Sequence, residues 1–295
     1  ERYADGYRPG PAPRAMGHMA FAAYEACING MPSYNSLETR FNGLNIPDAD
    51  RYAEYHWPTV VHPVDSTMFP NFFTNASTET PASVMDKWTV LVNSLNDKYR
   101  NEAGEEVYSR SRAHGEAVAL AVWEWSTTDP YGHEAYKNPW GNYTTNETYD
   151  AMDFYDGPGE WICTTPGPPL GKCMGPYYGK ARTFAINDVE KVALPPAHYF
   201  MEYSTNQNSE YYAQALQVYT KNAATDYTTE WIGEFWSDDL VGLTFSPGPR
   251  WLAIANQVIE NDNVNLETSL EAYAKVGMAV RDAAVACWHS KYLYN

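Results

Sequence analysis

The stretch LETSLEAYAKVGMAVRDAAVACWHSKYLY, running from Leu266 to Tyr294, states the fold most clearly. Apolar or small residues fall at Leu266, Leu270, Tyr273, Gly277, Val280, Ala284 and Cys287. Steps of four and three keep these positions on one face of an α-helix. The next step of four lands on Lys291. An ammonium at the end of a buried stripe is costly unless an anion meets it. The alternative is a frayed last turn whose lysine stem carries the charge out to water.

Working outward, the same period recurs upstream. Pro11 and Pro13 open a helix carrying Met16, Met19, Ala20, Ala23 and Cys27, closed by Gly30-Met31-Pro32. Trp57-Pro58 opens a second through Val60, Val61, Val64 and Met68, in which Pro63 predicts a kink or a split. A third puts Val84, Trp88, Leu91, Val92, Leu95 and Tyr99 on one face. A fourth, from about Glu105 to Trp125, does so with Val107, Ser111, His114, Val118, Ala121 and Trp125. From Thr127 to about Gln207 the period gives way to Gly, Pro and Tyr. That span is long for a loop without order of its own, and it predicts an ordered functional or binding excursion. Helical patterns return over Ser209–Lys221, Thr228–Asp238, Pro249–Asn261 and Asn265 to about Tyr292. The expected fold is all-α, one domain over 1–295. It is a helical bundle (about 12–126 and 209–293) with a long irregular Gly/Pro/Tyr-rich insertion at about 127–207.

Composition narrows the function classes. With 44% hydrophobic and 15% aromatic residues, a chain of this length is not disordered and buries a substantial core. A net charge of −17 argues against nucleic acid, whose binding rests on counterion release by Lys and Arg. No apolar run approaches the ~18 residues that a membrane span needs. The sequence begins at Glu1 without an initiator methionine, which predicts a removed leader or a partial sequence. Asn75, Asn142 and Asn146 each begin an Asn-x-Ser/Thr glycosylation sequon, and the latter two read as one exposed loop. Cys163 and Cys173 bracket a Pro/Gly loop, a spacing that suits a disulfide better than a metal. Cys27 and Cys287 both fall on helical faces, where they pair or stay as buried thiols. Together these features predict a secreted or otherwise extracytoplasmic protein.

The titratable clusters are incomplete as chemistry. His114 lies within Ser109-Arg110-Ser111-Arg112-Ala113-His114-Gly115, where arginine and histidine would grip an oxyanion and exchange a proton. Burial tendencies favour a hydrogen-bonded core histidine with solvated arginines. Asp150, Asp153 and Asp156 would offer oxygens to calcium, but their spacing fits no loop template and reads as a solvated acidic turn. No nucleophile elbow, P-loop or His-Glu-x-x-His segment is present, and no metal site is expected.

Several segments carry a family resemblance. They are Arg14-Ala15-Met16 through Ala22-Ala23-Tyr24-Glu25-Ala26, Gly30-Met31-Pro32-Ser33-Tyr34, Leu37 with Asn42-Gly43-Leu44, and Tyr55-His56-Trp57-Pro58. Further on come Phe235-Trp236-Ser237-Asp238-Asp239, Trp251 through Ala255-Asn256-Gln257-Val258, and Ala286-Cys287-Trp288-His289-Ser290-Lys291-Tyr292-Leu293-Tyr294-Asn295. The chain resembles the N-terminal helical half of secreted vanadium-dependent haloperoxidases and type-2 phosphatidic acid phosphatases, over most of its length. Similar proteins have a lysine, six residues, then Arg-Pro. That pair grips vanadate or phosphate, and later Pro-Ser-Gly-His and Ser-Arg-x-x-x-Gly-x-x-x-His segments complete the site. Lys291 matches the lysine, and the sequence stops short of the Arg-Pro. Arg250, in Pro249-Arg250-Trp251, stands where relatives often have His, so any pocket-lining role it has differs from theirs.

The resemblance implies an oxyanion-binding Lys291, with vanadate as cofactor only where a C-terminal half is present; the 1–295 chain alone is expected to be inactive. Two readings follow. One is a haloperoxidase- or phosphatase-like enzyme whose remainder is a missing C-terminal segment. The other is a structural or assembly protein, a homo-oligomer that reuses the helical half of the fold.

Overall fold

Pro11 lacks the N–H that a first helical turn leaves unpaired anyway, and helix α1 (Pro11–Cys27) starts there. The computed structural model describes residues 7, 10–75, 80–150, 157–159, 173–186, 201–237 and 246–294. The other helices among them are α2 (Trp57–Phe72), α3 (Ala82–Ala103), α4 (Glu105–Thr127), α5 (Glu210–Ala223), α6 (Tyr227–Trp236), α7 (Pro247–Asp262) and α8 (Leu266–Tyr294). Among the described residues no strand forms, and one isolated antiparallel bridge joins Gly141 to Thr148. The fold is all-α. Between α4 and α5 the described elements are two single 3-10 turns, Ala135–Lys137 and Tyr178–Lys180.

The core forms where α1 meets α2, α4 and α8. Phe21, Ala22 and Ala26 of α1, Val60, Val64 and Met68 of α2, and Val118, Ala119 and Val122 of α4 are all buried. Of the kink or split expected at Pro63, the split does not occur: α2 runs unbroken through Pro63 and Pro70. Packing supplies what the missing proline donors withhold. Gly115 of α4 brings the two helices so close that a methyl there would overlap the Val60 carbonyl oxygen and crowd the Pro63 ring. A comparable approach joins α1 to α8, where a Cβ on Gly17 would lie 3.0 Å from the Gly277 carbonyl oxygen and 3.0 Å from Arg281 Cβ. Glu25, buried at the end of α1, accepts bonds from Leu37 N–H (2.7 Å) and the Ser36 hydroxyl (2.7 Å), pinning the 36–37 segment to the helix.

The outer helices are less covered than their periodicity implied. No residue of α3, α5 or α6 is fully buried. Val84 and Leu91 of the expected α3 face are exposed, while Trp88 stacks on Phe69 of α2 at 5.5 Å. Helix α6 starts on a capping box, with Asp226 accepting from Thr229 N–H at 2.8 Å, yet Trp231, Phe235 and Trp236 are 54%, 60% and 73% exposed.

Candidate functional site

The buried seam of α8 is rotated by about one position from the expected stripe. Leu270, Ala274, Gly277, Arg281 and Val285 are buried; Val280, Ala284 and Cys287 instead line an open apolar groove of about 480 Å³ with Pro13, Pro247 and Trp251. The cation that enters the seam is therefore Arg281, with Lys291 exposed. The cause lies in what surrounds residues 281 and 282. Asp282 accepts backbone N–H bonds from Phe184 (2.7 Å), Ala185 (2.6 Å) and Ile186 (3.1 Å). Those bonds and the glycine crossing fix the rotation of the helix.

Arg281 is wholly buried and meets Asp129 at 3.5 Å, with its guanidinium 4.9 Å from the Tyr178 ring centroid. Asp129 also accepts from the backbone N–H of Tyr131 (3.2 Å) and Arg182 (3.1 Å). Arg14 enters the same region from α1 and donates to the Ser126 carbonyl at 2.6 Å. Burial, with the charges of Arg281 and Arg182, lowers the Arg14 pKa to about 10 against the opposing pull of Asp129. His18, one turn further along α1, bonds through Nδ1 to the Arg14 carbonyl at 2.8 Å. Burial first and the Arg14 charge second hold His18 well below the usual imidazole range. Sequence reasoning missed this cluster because its members are distant in the chain, and a charged residue inside a stripe reads as solvent-facing. The available signal was Arg281 itself, one position past Val280.

At the far end of α8 the last turns clasp a segment within the irregular insertion. Trp288 Nε1 (2.9 Å) and the Tyr292 hydroxyl (2.7 Å) both donate to the Met174 carbonyl. Gly175, at φ 69°, leaves no room for a side chain, since a Cβ would sit 2.6 Å from Trp288 Nε1. Lys291 projects beyond this clasp with its ammonium 5.6 Å from the Trp288 ring centroid.

The remaining expected site residues do not assemble around it. His114 is buried on α4 and bonds the Ala26 carbonyl at 3.1 Å; burial lowers its pKa, as for a core histidine. Arg250, half-buried in the first turn of α7, donates to the Ser237 carbonyl at 3.2 Å. Cys163 lies outside the described residues, as do Asp153 and Asp156; Cys173 is buried against Tyr149 and Tyr292. Cys27 and Cys287 are not joined: Cys27 is buried, with burial pushing its thiol up to about 12, whereas Cys287 is exposed. Of the sequons, Asn75 is half-buried and Asn146 is exposed. Asn142 departs from the expected exposure. It is 3% exposed, donates from its amide to the Pro130 carbonyl (3.2 Å) and accepts from Thr145 N–H (2.7 Å). Among the described residues no cluster of three or more metal-ligating side chains occurs, and no helix is long and apolar enough to cross a membrane.

This bundle has the fold of the vanadium-dependent haloperoxidase and type-2 phosphatidic acid phosphatase superfamily, in agreement with the sequence segments that resemble it. In particular it is similar to a solved structure described as the first bacterial vanadium-dependent iodoperoxidase, at 26% identity and a TM-score of 0.74. The match covers 97% of this chain and 65% of that one, so the chain spans about two thirds of the solved protein's length. No family model and no curated protein matches the sequence.

Proposed function

We propose that this chain is the helical scaffold of a haloperoxidase-like oxyanion enzyme, exported from the cytoplasm. In this reading Lys291 is one ligand of a vanadate or phosphate site that further residues complete. The observation that carries it is the position of Lys291. It stands one step of four past Cys287, which lines a groove whose apolar floor (Val276, Val280, Ala284) is open. A second helical layer laid in that groove would bury the floor and desolvate the ammonium, and an anion there would offset the cost. In this reading the described residues do not hold vanadate by themselves. One ammonium does not fix a trigonal oxyanion, and His114 and Arg250 are engaged elsewhere. Vanadate, when bound, would supply Lewis-acid activation of peroxide. The contribution of this chain is an ammonium positioned by the Trp288–Met174–Tyr292 clasp.

The test uses the complete native gene product. Vanadate binding is measured by titration calorimetry for wild type and Lys291→Ala. A loss of at least tenfold in affinity with an unchanged melting temperature is expected; equal affinity overturns the reading. A second reading, an assembly protein without catalysis, draws on the exposed aromatic face of α6. It is favoured if the native protein binds no vanadate and forms a stable homo-oligomer through that face.

A further inference from the structure

The end of α1, the first turn of α2 and the first turn of α8 frame a cavity of about 240 Å³. Cys27, Met31 and Leu270 line it and are 1%, 2% and 4% exposed, so they form its floor. Trp57 and Pro58 supply an apolar wall. The Trp57 ring is fixed from two sides. Tyr55 stacks on it at 5.5 Å, and the turn after α1 lies so close that a Cβ on Gly30 would come within 2.1 Å of the indole. An apolar cavity of roughly 150 Å³ is large enough to take up benzene. This one therefore has room for an aromatic ring and a short tether.

The polar groups of the lining are few, and most are spent. The Cys27 thiol donates to the Trp57 carbonyl at 3.8 Å. The Asn265 side chain caps α8 by accepting from Thr268 N–H at 2.9 Å. Glu267 remains. It is half-buried on the cavity wall, and among the described residues its carboxylate makes no hydrogen bond or ion pair. The next basic residue along α8, Lys275, is committed to Glu271 at 2.6 Å. A carboxylate that has given up part of its hydration beside apolar walls favours a cation that can hydrogen-bond to it. An anion would be repelled there, by Glu267 and by a chain of net charge −17. A neutral ring would fill the floor and leave the carboxylate uncompensated.

We propose that this cavity binds a small aralkyl ammonium ion, its ring on Cys27, Met31 and Leu270 and its ammonium at the Glu267 carboxylate. From Glu267 to Lys291 the helix runs about 36 Å, so the two sites are separate and neither proposal depends on the other.

Benzylamine, benzyl alcohol and benzoate, titrated into the protein at neutral pH by calorimetry, test the charge rule. Benzylamine should bind at least tenfold more tightly than benzyl alcohol, and benzoate should not bind. Glu267→Gln should weaken benzylamine at least fivefold and leave benzyl alcohol unchanged. Glu271→Gln, which removes a carboxylate outside the cavity, should change neither. Crystals grown with 4-bromobenzylamine should show an anomalous bromine peak among Cys27, Met31 and Leu270. Failure of benzylamine to bind, equal affinity for the amine and the alcohol, unchanged benzylamine affinity in Glu267→Gln, or bromine only elsewhere overturns the proposal.

Discussion

Arg281 and Asp129 meet at 3.5 Å with the arginine side chain wholly buried and the aspartate at 3% exposure. The two residues tie the last helix to the turn that follows α4, across most of the chain. Removing one member of a buried pair strands the other, at a cost of about 3–5 kcal/mol. Asp129→Ala strands several guanidiniums, Arg281→Met a single carboxylate that keeps two backbone donors. Urea unfolding should therefore show Asp129→Ala to be the more destabilising change. The reverse order would mean that the arginines are compensated elsewhere.

Acid should weaken the fold through His18, which packs among Phe72, Trp125 and Phe184. Its folded pKa lies well below the ordinary 6.5, so the folded protein binds fewer protons than the unfolded chain. The stability that neutral His18 contributes is complete above the unfolded value and is lost as pH falls from there toward the folded value. The slope from this group is at most about 1.4 kcal/mol per pH unit. Unfolding free energies at about pH 7.5 and about pH 5.5 should differ in wild type, and the difference should shrink in His18→Gln. An identical slope in the variant would remove His18 from the account.

Two glycine substitutions should move in opposite directions. Gly115→Ala gains helix propensity of about 1 kcal/mol, but its methyl overlaps the Val60 backbone, and overpacking of this kind costs about 1–3 kcal/mol. Gly233, inside α6, has nothing within 4 Å of an added Cβ. Gly233→Ala should stabilise by about 0.5–1 kcal/mol. Thermal melts of the two variants check both signs; a lower melting temperature for Gly233→Ala would mean that the α6 surface is covered in the native protein.

Expression in a host that glycosylates exported proteins should modify Asn146 and leave Asn142 bare. Asn146 is exposed, while the Asn142 amide is committed to the Pro130 carbonyl. Glycopeptide mass spectrometry reads both positions, and glycan on Asn142 would mean that the 141–148 bridge opens before modification.

The helices were legible because 3.6-residue periodicity survives wherever a face is buried, and on α4 Ser111, His114, Val118 and Trp125 are all buried as their spacing implied. The rotation of α8 was not legible. Small residues surround Val280 on both sides, and three acceptor bonds to Asp282 decide which side faces inward. That the helix does not split at Pro63 was hidden for a related reason, since the close approach permitted by Gly115 lies 52 positions away in the sequence and no local rule contains it. Of the candidate site, Lys291 could be found by resemblance alone. The arginine–aspartate cluster draws on four separate segments and left only a misplaced charge as its trace.

The crossing of α1 and α8 at Gly17 and Gly277 also bears on how the protein is made. Helix α1, early in the sequence, finds a close companion in α8, the last helix described here. Until the region around residue 281 has been synthesised, Arg14 and His18 have no closed interior to occupy, and the side of α1 that meets α8 stays uncovered. Core closure therefore waits on contacts between distant parts of the chain, which is the slow, aggregation-exposed regime of folding. A nascent chain of this kind is a natural client for chaperones that shield early helices until the late one arrives.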